Sequence, residues 1–513
     1  MKVTVYDGAQ TIGGSKVHVE EGENGLFLDF GMNFAKYSLY YEEFMSERPA
    51  RGLHDLWRLN LIPRINNYRA DLIPRGLSGE VSSSPKIPIN AVVLSHAHLD
   101  HAGNVALLSA DVPLVTSPVT AVVLKALRDT SSSGHLGMGI PYYLPKKPKV
   151  ENPEILEANR GIPYTWRPLI LTEPITDDVQ HLLTHRVEEN ITKRAKKIEQ
   201  GEISTLSEKD LGFEVRAFPV DHSIPGACAY IIEGDTITAY TGDFRLHGKR
   251  GKDTRRFIRK AKSASVLITE GTRVSRDEDE NVSEREVYEN ALATVEESNS
   301  LVVADFSPRN FERLETFLRI ADRTGRSLVV TPKDIYSLMT LSIVGEFNRI
   351  EDLRVYSTPK ASVRGWEKWV LNEFEGQLVT VNEVSKNPGS YILCFSFYDL
   401  PHLLDVNPRG GTYIYSSSEA FSEEQVFSFL RLWNWLRYFK FDVYGFGVDE
   451  HGKPVFEKGF HASGHIPWEE LREVIDEVDP DYIIPVHTES PEWFKRRWND
   501  KTILLRDGES RRV

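Results

Sequence analysis

The stretch INAVVLSHAHLDH, residues 89–101, decides how the rest of the chain is interpreted. It begins with an apolar run typical of a buried strand and ends with His96, His98, Asp100 and His101. Alternate side chains of an extended chain point the same way, so His96 and His98 can reach one metal ion while the following turn presents Asp100 and His101 to a second. Three of the chain's 15 histidines lie within this short stretch, which argues against a chance cluster of surface histidines. The stretch therefore predicts two incomplete metal sites at the end of a strand.

Three further residues stand at the ends of predicted strands and qualify as additional ligands. They are His222 in VDHSIPG, Asp243 in YTGDFR, and His487 in IIPVHTE, which is predicted to end the last strand. A single histidine or aspartate at a strand end is more often a hydrogen-bonded turn residue, so each residue alone is a weak signal. Their shared position favours the metal interpretation, and two buried dications also need carboxylates to offset their charge.

Length and charge limit the classes of protein to consider. The chain has 513 residues, which at about 100–200 residues per domain suggests two to four domains. Its 62 Lys and Arg against 75 Asp and Glu give a net charge of −13. This excess of negative charge argues against a uniformly basic coat for nucleic acid or anionic membrane. A polyanion would have to bind a local basic patch.

The cysteine count and the N-terminus favour an intracellular protein. Only Cys228 and Cys394 occur, too few for a disulfide framework or a cysteine-rich zinc site. The start MKVTVYDGAQTIGG lacks the profile of a signal peptide, and no run of about 18 apolar residues occurs. We therefore expect a cytoplasmic protein that does not span a membrane.

The pattern along the chain predicts two kinds of domain. Strands are predicted over 2–8, 16–21, 25–31 and 89–96, and again over 213–222, 227–234, 236–243 and 265–271. Between these groups, 103–210 contains two proline-rich pieces and a basic helical piece, 185–200, and is interpreted as an insertion of loops and helix. From 271 to 440, strands alternate with helices, which predicts βαβ units and a mostly parallel sheet. One helix and a strand follow in 441–513.

At this point the residues resemble a known family, the metallo-β-lactamase superfamily, and within it the β-CASP nucleases most similar to ribonuclease J. By this resemblance Asp29 in LDFG stands at the first motif, residues 96–101 at the second, and His222 and Asp243 at the third and fourth. Glu270 in TEGT matches the acidic residue that opens the β-CASP insertion, and His465 in ASGH and His487 match its later motifs. The match runs from one end of the chain to the other.

The resemblance implies an α/β fold and a domain order. Residues 1–265 and 441–513 would form an αββα metallo-β-lactamase sandwich, with the loop and helix insertion at about 103–210. Residues 266–440 would be the inserted β-CASP α/β domain.

The resemblance also assigns roles at the metal centre. Two divalent cations are implied, with Zn²⁺ the expected ion and Mn²⁺ the alternative. His96, His98 and His222 would hold one cation, Asp100, His101 and His487 the other, and Asp243 would bridge them. The two ions would activate a hydroxide that attacks a phosphodiester, with Asp100 and Asp243 orienting it. His465 is the candidate general acid for the departing 3′-oxygen, while Asp29 and Glu270 would orient ligands rather than bind metal.

Several residues bear on the substrate. In having a histidine at the position of His487, the chain resembles the RNA-processing branch of the family. This resemblance favours single-stranded RNA as the partner. His461 and Ser463 would hold a neighbouring nucleotide. Ser307 and Asn310 stand where the family often has a Ser-Asn pair, here interrupted by two residues. The resemblance therefore does not decide whether this chain has a pocket for a 5′ phosphate. The basic run 249–262, including Arg255 and Arg256, could contact RNA or be a solvated helix face, and the two interpretations weigh equally.

These observations favour a ribonuclease that works 5′→3′ as an exonuclease, with endonuclease activity as a further expectation. A β-CASP DNA nuclease, another metallo-hydrolase, or a catalytically silent RNA-binding scaffold remain as alternatives. The chain ends soon after His487, so the extra C-terminal domain of bacterial ribonuclease J is expected to be missing. Homodimer formation therefore stays an open alternative.

Overall fold

The structure is a computed structural model that describes residues 1–42, 45–131, 136–192, 194–275, 281–307, 309–417 and 423–513. Its contacts divide the chain into two compact units. The first unit comprises Met1–Leu246, Arg250–Glu278 and His465–Val513, and the second comprises His247–Lys249 and Asp279–Gly464. The described residues contain no helix with the length and apolar character needed to cross a membrane.

The described residues of the first unit form two large sheets and two small hairpin-like pairs, Tyr142–Tyr143 with Thr165–Trp166 and Lys146–Lys149 with Asn152–Ala158. Within the described residues, one sheet has eight strands, in the spatial order Ile203–Thr205, Leu169–Leu171, Leu114–Thr116, Ala91–Val93, Asn24–Leu28, Lys16–Glu21, Lys2–Asp7 and Glu509–Arg512. The other has five described strands, in the order Glu214–Pro219, Cys228–Glu233, Ile237–Tyr240, Val266–Glu270 and Tyr482–Val486. The strand that precedes the histidine cluster, Ala91–Val93, is central in the first sheet and pairs in parallel with both neighbours.

A shared apolar core joins the two sheets. It includes Val3, Val93, Tyr230 and Ile268, all of which are buried. The alternate residues of the first sheet are buried too, as Val92 illustrates, so that sheet is covered on both faces.

Helices complete the first unit. Those described are Phe34–Tyr37, His54–Arg58, Ser78–Ser83, Leu99–Ala102, Pro118–Thr130, Asp177–Thr184, Gly251–Ala261, Trp468–Val478 and Glu492–Arg497. Phe257 and Ile475 pack in a second core against the outer face of the five-stranded sheet. The predicted α/β sandwich is confirmed.

The second unit is built on a parallel sheet. Among its described residues, seven strands lie in the order Leu378–Thr380, Arg354–Ser357, Ser327–Val330, Tyr391–Cys394, Val302–Asp305, Gly411–Tyr415 and Phe441–Tyr444. Its described helices are Glu284–Glu297, Phe311–Thr324, Pro332–Ile343, Gly365–Glu373, Val381–Lys386, His402–Val406 and Glu423–Phe439. A small hairpin, Phe446–Val448 with Pro454–Phe456, follows. The strand–helix alternation predicted from the sequence is present.

The unit boundaries differ from those that the sequence favours. The long segment of the second unit begins at 278/279 and ends at 464/465, instead of 265/266 and 440/441, and the short piece His247–Lys249 also belongs to that unit. The reason is strand pairing. Val266–Glu270 pairs with Tyr482–Val486 inside the first unit, whereas Phe441–Tyr444 pairs with Gly411–Tyr415 inside the second.

The interpretation of 103–210 as an insertion of loops and helix is wrong in part. Leu114–Thr116, Leu169–Leu171 and Ile203–Thr205 are parallel strands that extend the first sheet. The basic piece 185–200 forms a short 3₁₀ turn, Val187–Asn190, and no α-helix in its described residues. The strand before His487 is also not the last, because Glu509–Arg512 pairs with Lys2–Asp7 at the sheet edge.

Candidate metal centre

The ligand-type residues at 96–101 lie where the strand Ala91–Val93 ends and the short helix Leu99–Ala102 begins. Two other segments hold this turn through their backbones. The Ser15 N–H donates to the carbonyl of Asp100 at 3.1 Å, and the Phe30 N–H donates to the carbonyl of His101 at 2.9 Å. The turn is therefore fixed by tertiary hydrogen bonds as well as by its own helix.

His96, His98 and His222 form the first cluster of potential ligand atoms, all within 4.8 Å of one another. Nδ1 of His98 lies 3.0 Å from Nε2 of His96 and 3.2 Å from Nε2 of His222. Burial and the neighbouring imidazoles lower the pKa of His96 well below its ordinary value. Since a metal ligand must be neutral imidazole, this environment favours the binding form.

Asp100, His101, Asp243 and His487 form the second cluster, by the same criterion. Nε2 of His487 lies 3.2 Å from Oδ2 of Asp100, and Nε2 of His101 lies 3.1 Å from Oδ2 of Asp243. Burial by itself would raise the pKa values of Asp100 and Asp243, but the imidazoles of His101 and His487 hold both well below their usual range. Both carboxyls are therefore ionised and available to a cation.

Asp243 lies between the two clusters. Its Oδ2 is 3.7 Å from Nε2 of His96 and 3.9 Å from Nε2 of His222 on one side, and 3.8 Å from Nε2 of His487 on the other. The structure thus brings together all seven residues that the sequence nominates as ligands. They come from four separate parts of the chain.

The donor set fits divalent cations. Oδ1 of Asp243 is buried, and no donor among the described residues forms a hydrogen bond with it. A buried carboxylate oxygen without a partner is costly, and a cation would satisfy it. Imidazole nitrogens combined with carboxylate oxygens suit Zn²⁺ and related ions.

Asp29 supports the second cluster without being part of it. Its Oδ2 lies 2.6 Å from Nδ1 of His101 and accepts a hydrogen bond from Tyr240 at 2.6 Å, while its Oδ1 accepts from the Ser95 N–H at 2.6 Å. The backbone of Asp29 is left-handed, with φ at 59°. Such a contact fixes the ring orientation of a ligand histidine and leaves the opposite nitrogen for metal.

Two other supporting residues were not predicted. Oγ of Ser95 lies 2.9 Å from Nδ1 of His96, and Oγ1 of Thr272 lies 3.0 Å from Nδ1 of His487. Ser95 directly precedes a ligand and Thr272 follows Glu270 closely, so proximity in sequence was the only available signal. Hydroxyls are common in turns, and this signal is not specific.

His465 lies beside both clusters and contacts Glu270. Its Nδ1 is 2.9 Å from Oε2 of Glu270 and 3.8 Å from Oδ2 of Asp243, and Oε1 of Glu270 accepts the Phe244 N–H at 2.9 Å. Burial would lower the pKa of His465, but the carboxylates of Glu270 and Asp243 raise it to about 9. The imidazole of His465 is therefore cationic at neutral pH. The histidine that Glu270 contacts is thus His465, which is not one of the seven candidate ligands.

The remaining predicted residues lie elsewhere. Ser307, Asn310, His461 and Ser463 belong to the second unit. Ser307 is exposed, whereas Asn310 is buried and its side-chain oxygen accepts the Arg313 N–H at 3.0 Å as the cap of helix Phe311–Thr324. Pro308, which interrupts the predicted Ser-Asn pair, lies outside the described residues.

Arg255 and Arg256 belong to the first unit and are exposed on helix Gly251–Ala261.

Comparisons with known proteins agree with this architecture. Residues 82–286 match the metallo-beta-lactamase superfamily. The chain is 22% identical to ribonuclease J of Methanocaldococcus jannaschii over 99% of this chain and 98% of that protein. It is also 22% identical to ribonuclease J of Pyrococcus abyssi, over 95% of this chain and 90% of that protein. A crystal structure of a protein of unknown function from Enterococcus faecalis V583 shares the fold, with a TM-score of 0.66 at 22% identity and 99% of each chain covered. Residues 82–286 thus resemble the metallo-beta-lactamase superfamily, and the chain is similar to ribonuclease J over 95–99% of its length.

Proposed function

We propose that the protein is a metal-dependent ribonuclease that hydrolyses phosphodiester bonds of single-stranded RNA in the cytoplasm. The observation that carries the proposal is the convergence of five imidazoles and two carboxylates on two clusters that share Asp243. The similarity to ribonuclease J over both full lengths supports RNA as the substrate.

The two clusters would hold two divalent cations, with Zn²⁺ expected and Mn²⁺ as the alternative. When bound, a pair of such ions supplies a water of lowered pKa and positive charge for the developing phosphorane. His96, His98 and His222 would hold one ion, and Asp100, His101 and His487 the other, with Asp243 shared. Asp29 would keep His101 oriented.

His465 would complete the reaction. Its protonated imidazole, held by Glu270 at 2.9 Å, would donate a proton to the departing 3′-oxygen. Asp100 and Asp243 would orient the attacking water by accepting hydrogen bonds from its O–H groups. His461 and Ser463, in the second unit, are proposed contacts for RNA phosphate, and a 5′-phosphate pocket at Ser307 and Asn310 stays a prediction.

Cleavage of end-labelled single-stranded RNA in Mn²⁺ or Zn²⁺ tests this function. Wild type should cleave the RNA, and Asp100→Ala should lose at least a hundredfold in rate because an ion ligand is removed. Absence of cleavage by wild type, or an undiminished rate in Asp100→Ala, would contradict the proposal. Faster cleavage of DNA than of RNA would identify a DNA nuclease, and tight RNA binding without cleavage would identify a silent scaffold.

The polarity of cleavage needs a second measurement. We propose 5′→3′ exonuclease action from a monophosphorylated end, with some internal cleavage. Time courses on RNAs that carry a 5′ monophosphate, triphosphate or hydroxyl should then show mononucleotides released first from the monophosphorylated RNA. Fragments of intermediate length from all three would indicate an endonuclease. Light scattering on the same preparation would detect a homodimer.

A further inference from the structure

Helix Gly251–Ala261 has one apolar face and one strongly basic face. Phe257, Ile258 and Ala261 are buried in the core on the outer face of the five-stranded sheet. The opposite side is exposed and carries six cations, Lys252, Arg255, Arg256, Arg259, Lys260 and Lys262. In a chain with a net charge of −13, this is an unusual concentration of positive charge.

The six cations are not equivalent. Lys262 forms an ion pair with Glu477 at 3.1 Å. Burial raises the pKa of Glu470, and the charge of the nearby Arg255 opposes that rise. Both carboxylates belong to the neighbouring helix Trp468–Val478. This side of the basic face is therefore partly neutralised by the protein itself.

The other side has no such compensation. Within the part of the chain that the structure describes, no carboxylate pairs with Lys252, Arg256, Arg259 or Lys260. These four residues recur at helical spacing and define what we call the basic row. At 1.5 Å rise per residue the row is about 12 Å long. It contains no aromatic or amide side chain, so nothing in it would distinguish one base from another.

The buried face of the helix that carries the basic row is joined to a segment of the metal centre. Oγ1 of Thr254, which is buried in the first turns of the helix, accepts the N–H of Asp221 at 2.8 Å. Asp221 directly precedes the candidate ligand His222, and its carbonyl accepts the Arg245 N–H at 2.8 Å. The helix is thereby hydrogen-bonded to the segment that carries one of the ligands.

We propose that the basic row binds the sugar–phosphate backbone of the RNA strand outside the metal centre, independently of base sequence. This inference rests on the proposed function and adds a binding surface to it. At about 3.4 Å per nucleotide, 12 Å accommodates three to four phosphates of a stacked strand. Side-chain cations that neutralise phosphates release the counterions condensed on the RNA. Each phosphate bound by the surface should therefore steepen the plot of log affinity against log salt concentration by about 0.7.

The test uses the metal-loaded full chain. The variant Arg256→Gln/Arg259→Gln/Lys260→Gln removes three cations of the basic row. A matched control, Arg506→Gln/Arg511→Gln/Arg512→Gln, removes three exposed cations of the same unit and changes the net charge equally. For each protein, KM for a 30-nucleotide RNA of mixed sequence is measured from 50 to 300 mM KCl, together with hydrolysis of bis(p-nitrophenyl) phosphate, which is too small to reach the row.

The row variant should raise KM at least tenfold at 50 mM KCl and reduce the slope of log KM against log salt by about 2, with kcat and the small-substrate rate unchanged. The control should keep the wild-type slope. A charge-conserving variant, Arg256→Lys/Arg259→Lys/Lys260→Arg, should also keep it, which separates loss of charge from damage to the helix.

An unchanged slope in the row variant, with RNA cleavage intact, would overturn this inference and leave the proposed function standing. Equal changes in the control would overturn it too, because they would show a general effect of net charge. Failure of wild type to hydrolyse either RNA or the small phosphodiester would instead contradict the proposed function.

Discussion

At the scale of single residues, His101 and His487 are held by partners on the nitrogen that faces away from the clusters. Asp29 contacts Nδ1 of His101, and Thr272 contacts Nδ1 of His487. Each contact restricts the ring orientation, so the opposite nitrogen faces the site before any ion arrives. These partners should therefore control metal affinity without being ligands.

Replacing Asp29 by Asn should weaken metal binding by about 10–100-fold. An amide oxygen is a poorer acceptor for His101 than a carboxylate, whereas asparagine tolerates the left-handed backbone at this position, so the fold should be retained. Calorimetric titration of Zn²⁺ into the metal-free variant measures the loss. Tyr240→Phe is the control, because it removes another hydrogen bond to the same carboxylate and leaves the His101 contact in place. Equal losses in the two variants would argue for a general effect of the Asp29 environment.

Asp305 predicts a pH dependence of stability in the second unit. It ends the strand Val302–Asp305 and accepts a hydrogen bond from Tyr413 at 2.5 Å. Burial, with Asp399 nearby, raises its pKa from 3.8 to about 7. The folded protein therefore binds this proton more tightly than the unfolded chain, and the contribution is complete below about pH 4 and is lost as the pH rises through 7.

Asp305→Asn should therefore flatten the fall in unfolding free energy between pH 4 and 7, by at most about 1.4 kcal/mol per pH unit. Urea unfolding at several pH values measures the slope. Asp442→Asn, at an exposed position in the same sheet, should leave it unchanged. Identical slopes for wild type and Asp305→Asn would refute the raised pKa.

At the scale of elements, the turn that carries four ligand residues depends on close backbone contact with the segment after Asp29. The Phe30 N–H donates to the carbonyl of His101, and the Met32 N–H donates to the carbonyl of Leu99. Between them, Gly31 lies so close to the turn that a Cβ atom there would be 1.6 Å from the carbonyl oxygen of Asp100. Only glycine allows the two segments to approach this closely.

Gly31→Ala should displace helix Leu99–Ala102, lower the free energy of unfolding by about 1–3 kcal/mol and reduce bound metal. Urea denaturation and elemental analysis measure the two effects. The control is Gly79→Ala in helix Ser78–Ser83, where a Cβ would have no heavy atom within 4 Å. It should be neutral or stabilising by up to about 1 kcal/mol. Wild-type stability and metal content in Gly31→Ala would contradict the packing argument.

At the scale of the whole molecule, the candidate ligands run from His96 to His487 and all lie in the first unit, although the second unit interrupts its chain. A cation bound to them would link segments that are distant in sequence. Because the unfolded chain cannot present these groups together, bound metal should stabilise the first unit specifically.

Calorimetry of the chelator-treated protein should show this selectivity. Adding Zn²⁺ at about 100 times its Kd should stabilise the first unit by about 2.7 kcal/mol and leave the transition of the second unit unchanged. Asp243→Ala should lose most of the stabilisation, since that carboxylate lies between both clusters. Equal shifts of both transitions would show that the metal does not act through these residues.

Several features of the fold could not be predicted from the sequence, for identifiable reasons. Leu114–Thr116, Leu169–Leu171 and Ile203–Thr205 are only three residues long, so they produce no readable alternation among the loops that surround them. The piece 185–200 has a helical composition, but tertiary contacts override local propensity there. The unit boundaries follow strand pairing, which joins segments more than 200 positions apart.

The sequence by itself determined the α/β class, the strand before His96–His101, and the residue types of the candidate metal centre. The alternation of apolar and polar residues, and the clustering of ligand-type side chains, can be read from residues that are neighbours in the sequence. The tertiary structure alone decided that Asp243 lies between the clusters and that Ser95, Tyr240 and Thr272 support them. It also decided that four exposed cations of helix Gly251–Ala261 have no carboxylate partner among the described residues. These features depend on distances between side chains from distant parts of the chain, which no local pattern encodes.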